Sequence, residues 1–210
     1  CARRRLAYDE LLCLQVALLA RRRISQRGIS PTRHEVAGAH VAALRRAMPF
    51  ELSDEQDAAV REIFSDMASG EVMNRLLLGD VGTGKTAVAA FALAAVADTG
   101  TQAAMMAPTS VLARQYAEKL GPLLDRAGIR WAILVGSTPV EERAHSTAAF
   151  ATGDIDVAFG TTALLSSDVR FRRLSLVVID EQHRFGVDQR AALRRKGPGA
   201  DLLAMSATPI

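Results

Sequence analysis

A run of eight residues has the GxxxxGKT spacing of a loop that binds nucleotide phosphates: Gly79, Asp80, Val81, Gly82, Thr83, Gly84, Lys85 and Thr86. Its glycines allow backbone N–H groups to surround phosphate oxygens with no side chain in the way. We expect Lys85 to reach the β- and γ-phosphates as a catalytic residue, and the Thr86 hydroxyl to bind Mg²⁺. The run therefore predicts a nucleoside triphosphate site.

Two adjacent carboxylates, Asp180 and Glu181, follow the apolar run Leu176–Ile179. A phosphate loop requires an acidic residue of this kind at the end of a neighbouring strand. Asp180 is expected to bind Mg²⁺ through water, and Glu181 to polarise the water that attacks the γ-phosphate. Without the phosphate loop, the same pair would be interpreted as a solvated turn.

The choice of base depends on what the sequence contains outside the loop. Guanine-specific loops use an Asn-Lys-x-Asp or Thr-Lys-x-Asp box, whereas this sequence has a single asparagine, Asn74, and no Thr-Lys pair. ATP is therefore favoured over GTP. Gln56, which follows Phe50, could read adenine, but Ser53 and Gln56 also fit a helix capping box, and both interpretations stay open.

The composition is that of a folded domain. The chain has 210 residues, of which 49% are hydrophobic and 23% are charged, and this excludes a disordered tail or a fibrous repeat. Two cysteines cannot form a disulfide scaffold and favour a reducing, cytoplasmic compartment. The longest apolar run, Leu11–Ala20, is too short to span a bilayer, so no membrane association is expected.

Charge is distributed unevenly along the chain. Residues 1–50 hold ten arginines and three acidic residues, a net charge of +7, whereas the remaining residues have a net charge of −4. A GC-rich genome also raises arginine content. The charge alone is therefore weak evidence for binding to nucleic acid.

The hydrophobic pattern predicts two N-terminal helices and then an α/β alternation. Residues 2–23 form the first predicted helix, and Ser30-Pro31 is expected to start a second that continues to Ala47. Further helices are predicted over 54–70, 84–98, 110–120 and 138–150, and strands over 74–78, 102–107, 130–135, 155–159, 174–179 and 201–206. The strands are continuous apolar runs, which is typical of a parallel sheet covered by helices on both faces.

These motifs together resemble those of superfamily 2 helicases. The sequence resembles motifs I, II and III of that superfamily at residues 79–86, 180–183 and 206–208. It resembles motif Ia at 107–109 and the motif at the end of the following strand at 160–162. The longer strings at 73–86, 168–187 and 202–210 are similar to the RecG family of ATP-dependent DNA helicases, and the similarity is weakest across 24–47. Thr162 stands where that family has histidine.

The resemblance implies a RecA-like P-loop NTPase fold with a mainly parallel sheet flanked by helices. Residues 49–210 would be the first motor domain, cut after motif III, and residues 1–48 a helical connector from an upstream wedge domain. The expected ligands are Mg²⁺-ATP and branched DNA, such as stalled forks and Holliday junctions. A second RecA-like domain beyond Ile210 would supply an arginine finger, so this fragment alone is expected to be nearly inactive.

The resemblance also implies roles for residues outside the nucleotide site. Pro108, Thr109, Gly160 and Thr161 would contact DNA. Coupling of the nucleotide state to DNA would depend on Gln182, His183, Ser206 and Thr208. Three alternatives remain: the translocase of a transcription-repair coupling factor, an RNA helicase of the same superfamily, and a nucleotide-binding switch without catalysis.

Overall fold

The computed structural model describes residues 8, 11–13, 15–16, 30–80, 82–181, 185–186, 189, 192 and 195–207. The chain divides into two compact units, Cys1–Ser30 and Pro31–Ile210. In the first unit, the described residues between positions 8 and 16 are helical, as predicted. Among the residues that the structure describes, no helix has the length and apolar character needed to cross a bilayer.

The described part of the second unit alternates helices and strands around one sheet. Its helices are α1 (Ala39–Ala47), α2 (Asp54–Ala68), α3 (Lys85–Asp98), α4 (Ser110–Arg126) and α5 (Val140–Thr152), with a short 3-10 helix at Thr162–Leu165. Its strands are β1 (Asn74–Leu78), β2 (Gln102–Met106), β3 (Trp131–Leu134), β4 (Val157–Gly160), β5 (Leu174–Asp180) and β6 (Asp201–Ser206). The strand order is β1-β6-β5-β2-β4-β3, and all five pairings are parallel.

The core lies on both faces of this sheet. Alternate residues of a strand point to opposite faces, so Val178 packs with the cluster around α3, whereas Val177 and Ile179 pack with Phe150 of α5. Almost all of α3 is buried, as expected for a helix that is apolar on every side. The RecA-like α/β architecture predicted from the sequence is therefore confirmed.

The predicted helix start at Ser30-Pro31 is wrong, because α1 begins only at Ala39. A distant residue caps this helix: the Asp98 carboxylate accepts the backbone N–H groups of His40 at 2.9 Å and Val41 at 3.0 Å. Those N–H groups have no partner within the helix, so the carboxylate determines where the helix begins. Residues 31–48, which the sequence interpretation assigned to the connector, therefore belong to the same compact unit as the sheet.

The predicted end of α4 at Gly121 is also wrong, because the helix continues to Arg126 with Pro122 inside it. Gly121 is required for packing: a Cβ atom there would lie 2.4 Å from Cζ2 of Trp131. Trp131 is half-buried; its ring packs edge-on against Phe159, and its Nε1 donates a hydrogen bond to Asp125. Tertiary packing thus overrides the local signal for a helix end.

Candidate nucleotide-binding site

The predicted site residues follow the carboxyl ends of parallel strands and therefore lie along one edge of the sheet. Leu78, just before the phosphate loop, pairs with Ser206 of β6, and Asp180 of β5 pairs with Met205 of the same strand. β6 thus separates the loop from the acidic pair by two strand spacings, about 10 Å. Ligands of open α/β sheets bind at such edges.

The backbone of β6 holds both halves of this site. The Gly79 N–H donates to the carbonyl of Ser206 at 3.3 Å, and the Glu181 N–H donates to the carbonyl of Met205 at 3.0 Å. Ser206, a predicted coupling residue, is fully buried. A displacement of β6 would therefore move both the phosphate loop and the backbone of Glu181.

The phosphate loop leads directly into α3. Gly84 precedes the helix with φ +82°, a left-handed conformation that favours glycine. The first turn of α3 provides backbone N–H groups and a positive helix end for an anion. The Lys85 Nζ donates to the carbonyls of Gly79 at 2.5 Å and Asp80 at 2.9 Å, which holds the ammonium group against the loop. Val81 lies outside the described residues.

Gln56 connects the start of α2 to the phosphate loop. The capping box is confirmed, since Ser53 Oγ accepts the Gln56 N–H and Gln56 Oε1 accepts the Ser53 N–H. The Gln56 Nε2 also donates to the carbonyl of Thr83 at 2.8 Å. A Cβ atom on Gly84 would lie 2.3 Å from this nitrogen, so the contact itself requires glycine there. Adenine reading by Gln56 stays a prediction.

Asp180 lies mostly buried, with 8% of its surface exposed, and it has a partner that the sequence interpretation missed. The Tyr116 hydroxyl of α4 donates a hydrogen bond to Oδ2 of Asp180. Burial raises the pKa of the Tyr116 phenol above its ordinary value, and the hydrogen bond to Asp180 raises it further, so the phenol remains a donor at neutral pH. The sequence signal that could have indicated a contact is the position of Tyr116 on the buried face of α4, next to Ala113 and Ala117.

Glu181 has an unusual backbone. Its φ is +51°, the one positive value among the described residues other than glycine. This conformation costs a side-chain-bearing residue on the order of 1–3 kcal/mol, and such strain clusters at active sites. The bond from its N–H to Met205 helps to hold it. Glu181 thus follows the end of β5 in a strained backbone conformation, directly next to Asp180.

The predicted metal ligands fit magnesium chemically. Thr86 offers a hydroxyl oxygen in the first turn of α3, and Asp180 a carboxylate at the end of β5. Hard oxygen donors of this kind, completed by water and phosphate oxygens, are what Mg²⁺ prefers. The described residues therefore provide suitable donors on both sides of β6.

The residues predicted to contact DNA follow β2 and β4, which adjoin each other on the far side of β5. Thr109 is exposed, and its Oγ1 accepts the Leu112 N–H as the cap of α4. Gly160 and Thr161 are buried, and a Cβ atom on Gly160 would lie 2.3 Å from the carbonyl oxygen of Leu134. These residues have structural roles, and DNA contact stays a prediction for them and for half-buried Pro108. Three predicted coupling residues, Gln182, His183 and Thr208, lie outside the described residues.

Comparison with known proteins agrees with this geometry. Residues 53–210 match the model of the DEAD/DEAH box helicase family. The whole chain is 44% identical to the ATP-dependent DNA helicase RecG of Bacillus subtilis and 45% identical to that of Thermotoga maritima, covering 31% and 27% of those proteins. A structure of RecG bound to a three-way DNA junction superposes with a TM-score of 0.83 at 39% identity, covering all of this chain and 28% of that one.

Proposed function

This chain belongs to the DEAD/DEAH box helicase family, and on that premise we propose that it is the first, ATP-hydrolysing motor domain of a DNA helicase acting on branched DNA in the cytoplasm. The observation that carries the proposal is the placement of the phosphate loop and the Asp180-Glu181 pair on either side of β6. The similarity to RecG over the whole of this chain, including a junction-bound RecG structure, supports the DNA substrate.

The chain spans about a third or less of the relatives it matches, so the complete activity requires further parts. We propose that residues 49–210 are the motor domain and that the segment before them leads to an upstream wedge domain, with residues 31–48 belonging to the compact unit of the motor rather than to a separate connector. A second RecA-like domain would supply the arginine that stabilises the transferring phosphoryl group. The DNA partner would contact the loops that follow β2 and β4.

In the proposed mechanism, Lys85 leaves the two loop carbonyls and binds the β- and γ-phosphates, while the α3 N-terminus binds phosphate oxygens. Thr86 and Asp180 would hold Mg²⁺, which neutralises charge on the β- and γ-oxygens when bound. Glu181 orients the attacking water and accepts its proton. Its fixed backbone at the end of β5 keeps the carboxylate in place for this step.

The substrate class is tested by ATPase stimulation in the complete protein. We expect forked or junction DNA to raise ATP turnover more than single-stranded DNA of the same length, with little stimulation by RNA. Equal or greater stimulation by RNA would contradict the DNA assignment and favour an RNA helicase. ATP turnover that no nucleic acid changes would contradict a motor function altogether.

Gln56 is proposed to read the adenine base in addition to capping α2. Gln56→Ala should reduce the preference for ATP over GTP in competition binding, because the amide that selects the base is lost. Ser53→Ala is the matched control: it removes the other half of the capping box, at a cost of about 1 kcal/mol, and leaves the amide in place. An unchanged ATP preference in Gln56→Ala would limit this residue to the helix cap and the Thr83 contact.

A further inference from the structure

Tyr116 connects α4 to the end of β5, two parts of the fold that are far apart in the chain. It lies on α4, two turns after the Thr109 cap, and its hydroxyl bonds the Asp180 carboxylate at the end of β5. The contact is possible because β2, which leads into α4, is the neighbour of β5.

Packing fixes the Tyr116 ring independently of this hydrogen bond. The ring is half-buried and packs against two hydrophobic clusters, one including Leu120 and Ala117 and the other including Ala113 and Val135. A side chain held in this way presents its hydroxyl at a defined position. The carboxylate, in contrast, rotates easily about its terminal bond, because that torsion has a broad energy profile.

We propose that Tyr116 is a positioning residue for magnesium binding: its hydroxyl fixes the plane of the Asp180 carboxylate for the metal and its water ligands. The inference rests on the function proposed above. One hydrogen bond to Oδ2 occupies one of about four lone-pair positions of a carboxylate, so positions remain for a metal-bound water. Partners that orient metal ligands in this way are typically worth about 10- to 100-fold in metal affinity.

The test is Mg²⁺-dependent binding of a fluorescent ATP analogue to the complete protein carrying Tyr116→Phe. This change keeps the packed ring and removes only the hydroxyl. The Mg²⁺ concentration for half-maximal binding should rise by about tenfold or more, while binding of the analogue in EDTA stays the same. Tyr8→Phe, at an exposed tyrosine of the first unit, is the matched control and should change neither value.

Two outcomes would overturn the proposal. One is an unchanged Mg²⁺ requirement in Tyr116→Phe. The other is a lower melting temperature together with weaker binding in EDTA, which would make the hydroxyl merely structural. Lys85→Ala distinguishes this inference from the proposed function. If Lys85→Ala leaves binding of the analogue intact, the proposed nucleotide site is wrong. If Lys85→Ala weakens binding and Tyr116→Phe leaves the Mg²⁺ requirement unchanged, only the inference about Tyr116 is wrong.

Discussion

Replacement of Lys85 by alanine is expected to abolish DNA-stimulated ATP hydrolysis in the complete protein, with a loss of about 100- to 1,000-fold or more. The ammonium group is held by the Gly79 and Asp80 carbonyls, at the loop that is proposed to bind the phosphates. Charge that develops on the transferring phosphoryl group would then have no cation from this helix. Steady-state phosphate release with saturating forked DNA measures the loss.

Lys119→Ala is the matched control for this experiment. Lys119 is an exposed lysine on α4, away from the loop, so its removal lowers the net charge by the same amount. We expect it to leave turnover close to that of the wild type. Retained ATP hydrolysis in Lys85→Ala would mean that the phosphate loop has been misinterpreted.

The second large effect is expected for Glu181→Gln, which should slow hydrolysis by about 100- to 10,000-fold while Mg²⁺-ATP still binds. Glutamine keeps the shape of the side chain and tolerates the same backbone, but it cannot accept the proton of the attacking water. Binding is preserved because Lys85, Thr86 and Asp180 are intact. Phosphate release and equilibrium binding of a fluorescent ATP analogue, measured on one preparation, separate the two steps.

Glu118→Gln, an exposed glutamate of α4, is the corresponding control and should behave as the wild type. Loss of nucleotide binding in Glu181→Gln would place this residue among the ligands of the metal or nucleotide. Full turnover would instead assign the proton transfer to another group. Either result would revise the division of roles between Asp180 and Glu181.

Local sequence signals were sufficient for most of the fold. Continuous apolar runs such as Leu176–Ile179 predict buried parallel strands, and the capping box at Ser53 and Gln56 predicts the start of α2 where the structure has it. The phosphate loop and the acidic pair were located because their chemistry requires fixed residue types at fixed spacing.

Contacts between distant residues were beyond such reasoning. Asp98 caps α1 from 58 residues away, and no pattern near Ser30 indicates this. Gly121 was predicted to end α4, whereas in the structure its lack of a Cβ atom leaves space for the Trp131 ring. The position of Tyr116 on α4 does not indicate the partner of its hydroxyl, because the hydrogen bond to Asp180 exists only once β2 and β5 are neighbours.

The position of β6 has a consequence for how the protein is made. β1 lies at one end of the described sheet and pairs there with β6 alone, yet Met73 and Asp201, which bond where these strands begin, are 128 residues apart in the chain. Pairings of such long separation are slow to form, because the entropy cost of bringing two distant segments together must be met before their contacts contribute. During synthesis from the N-terminus, the loop emerges long before the strand that holds it. A nascent chain therefore acquires its nucleotide site only after β6 has left the ribosome, as one of the last parts of this fold to form.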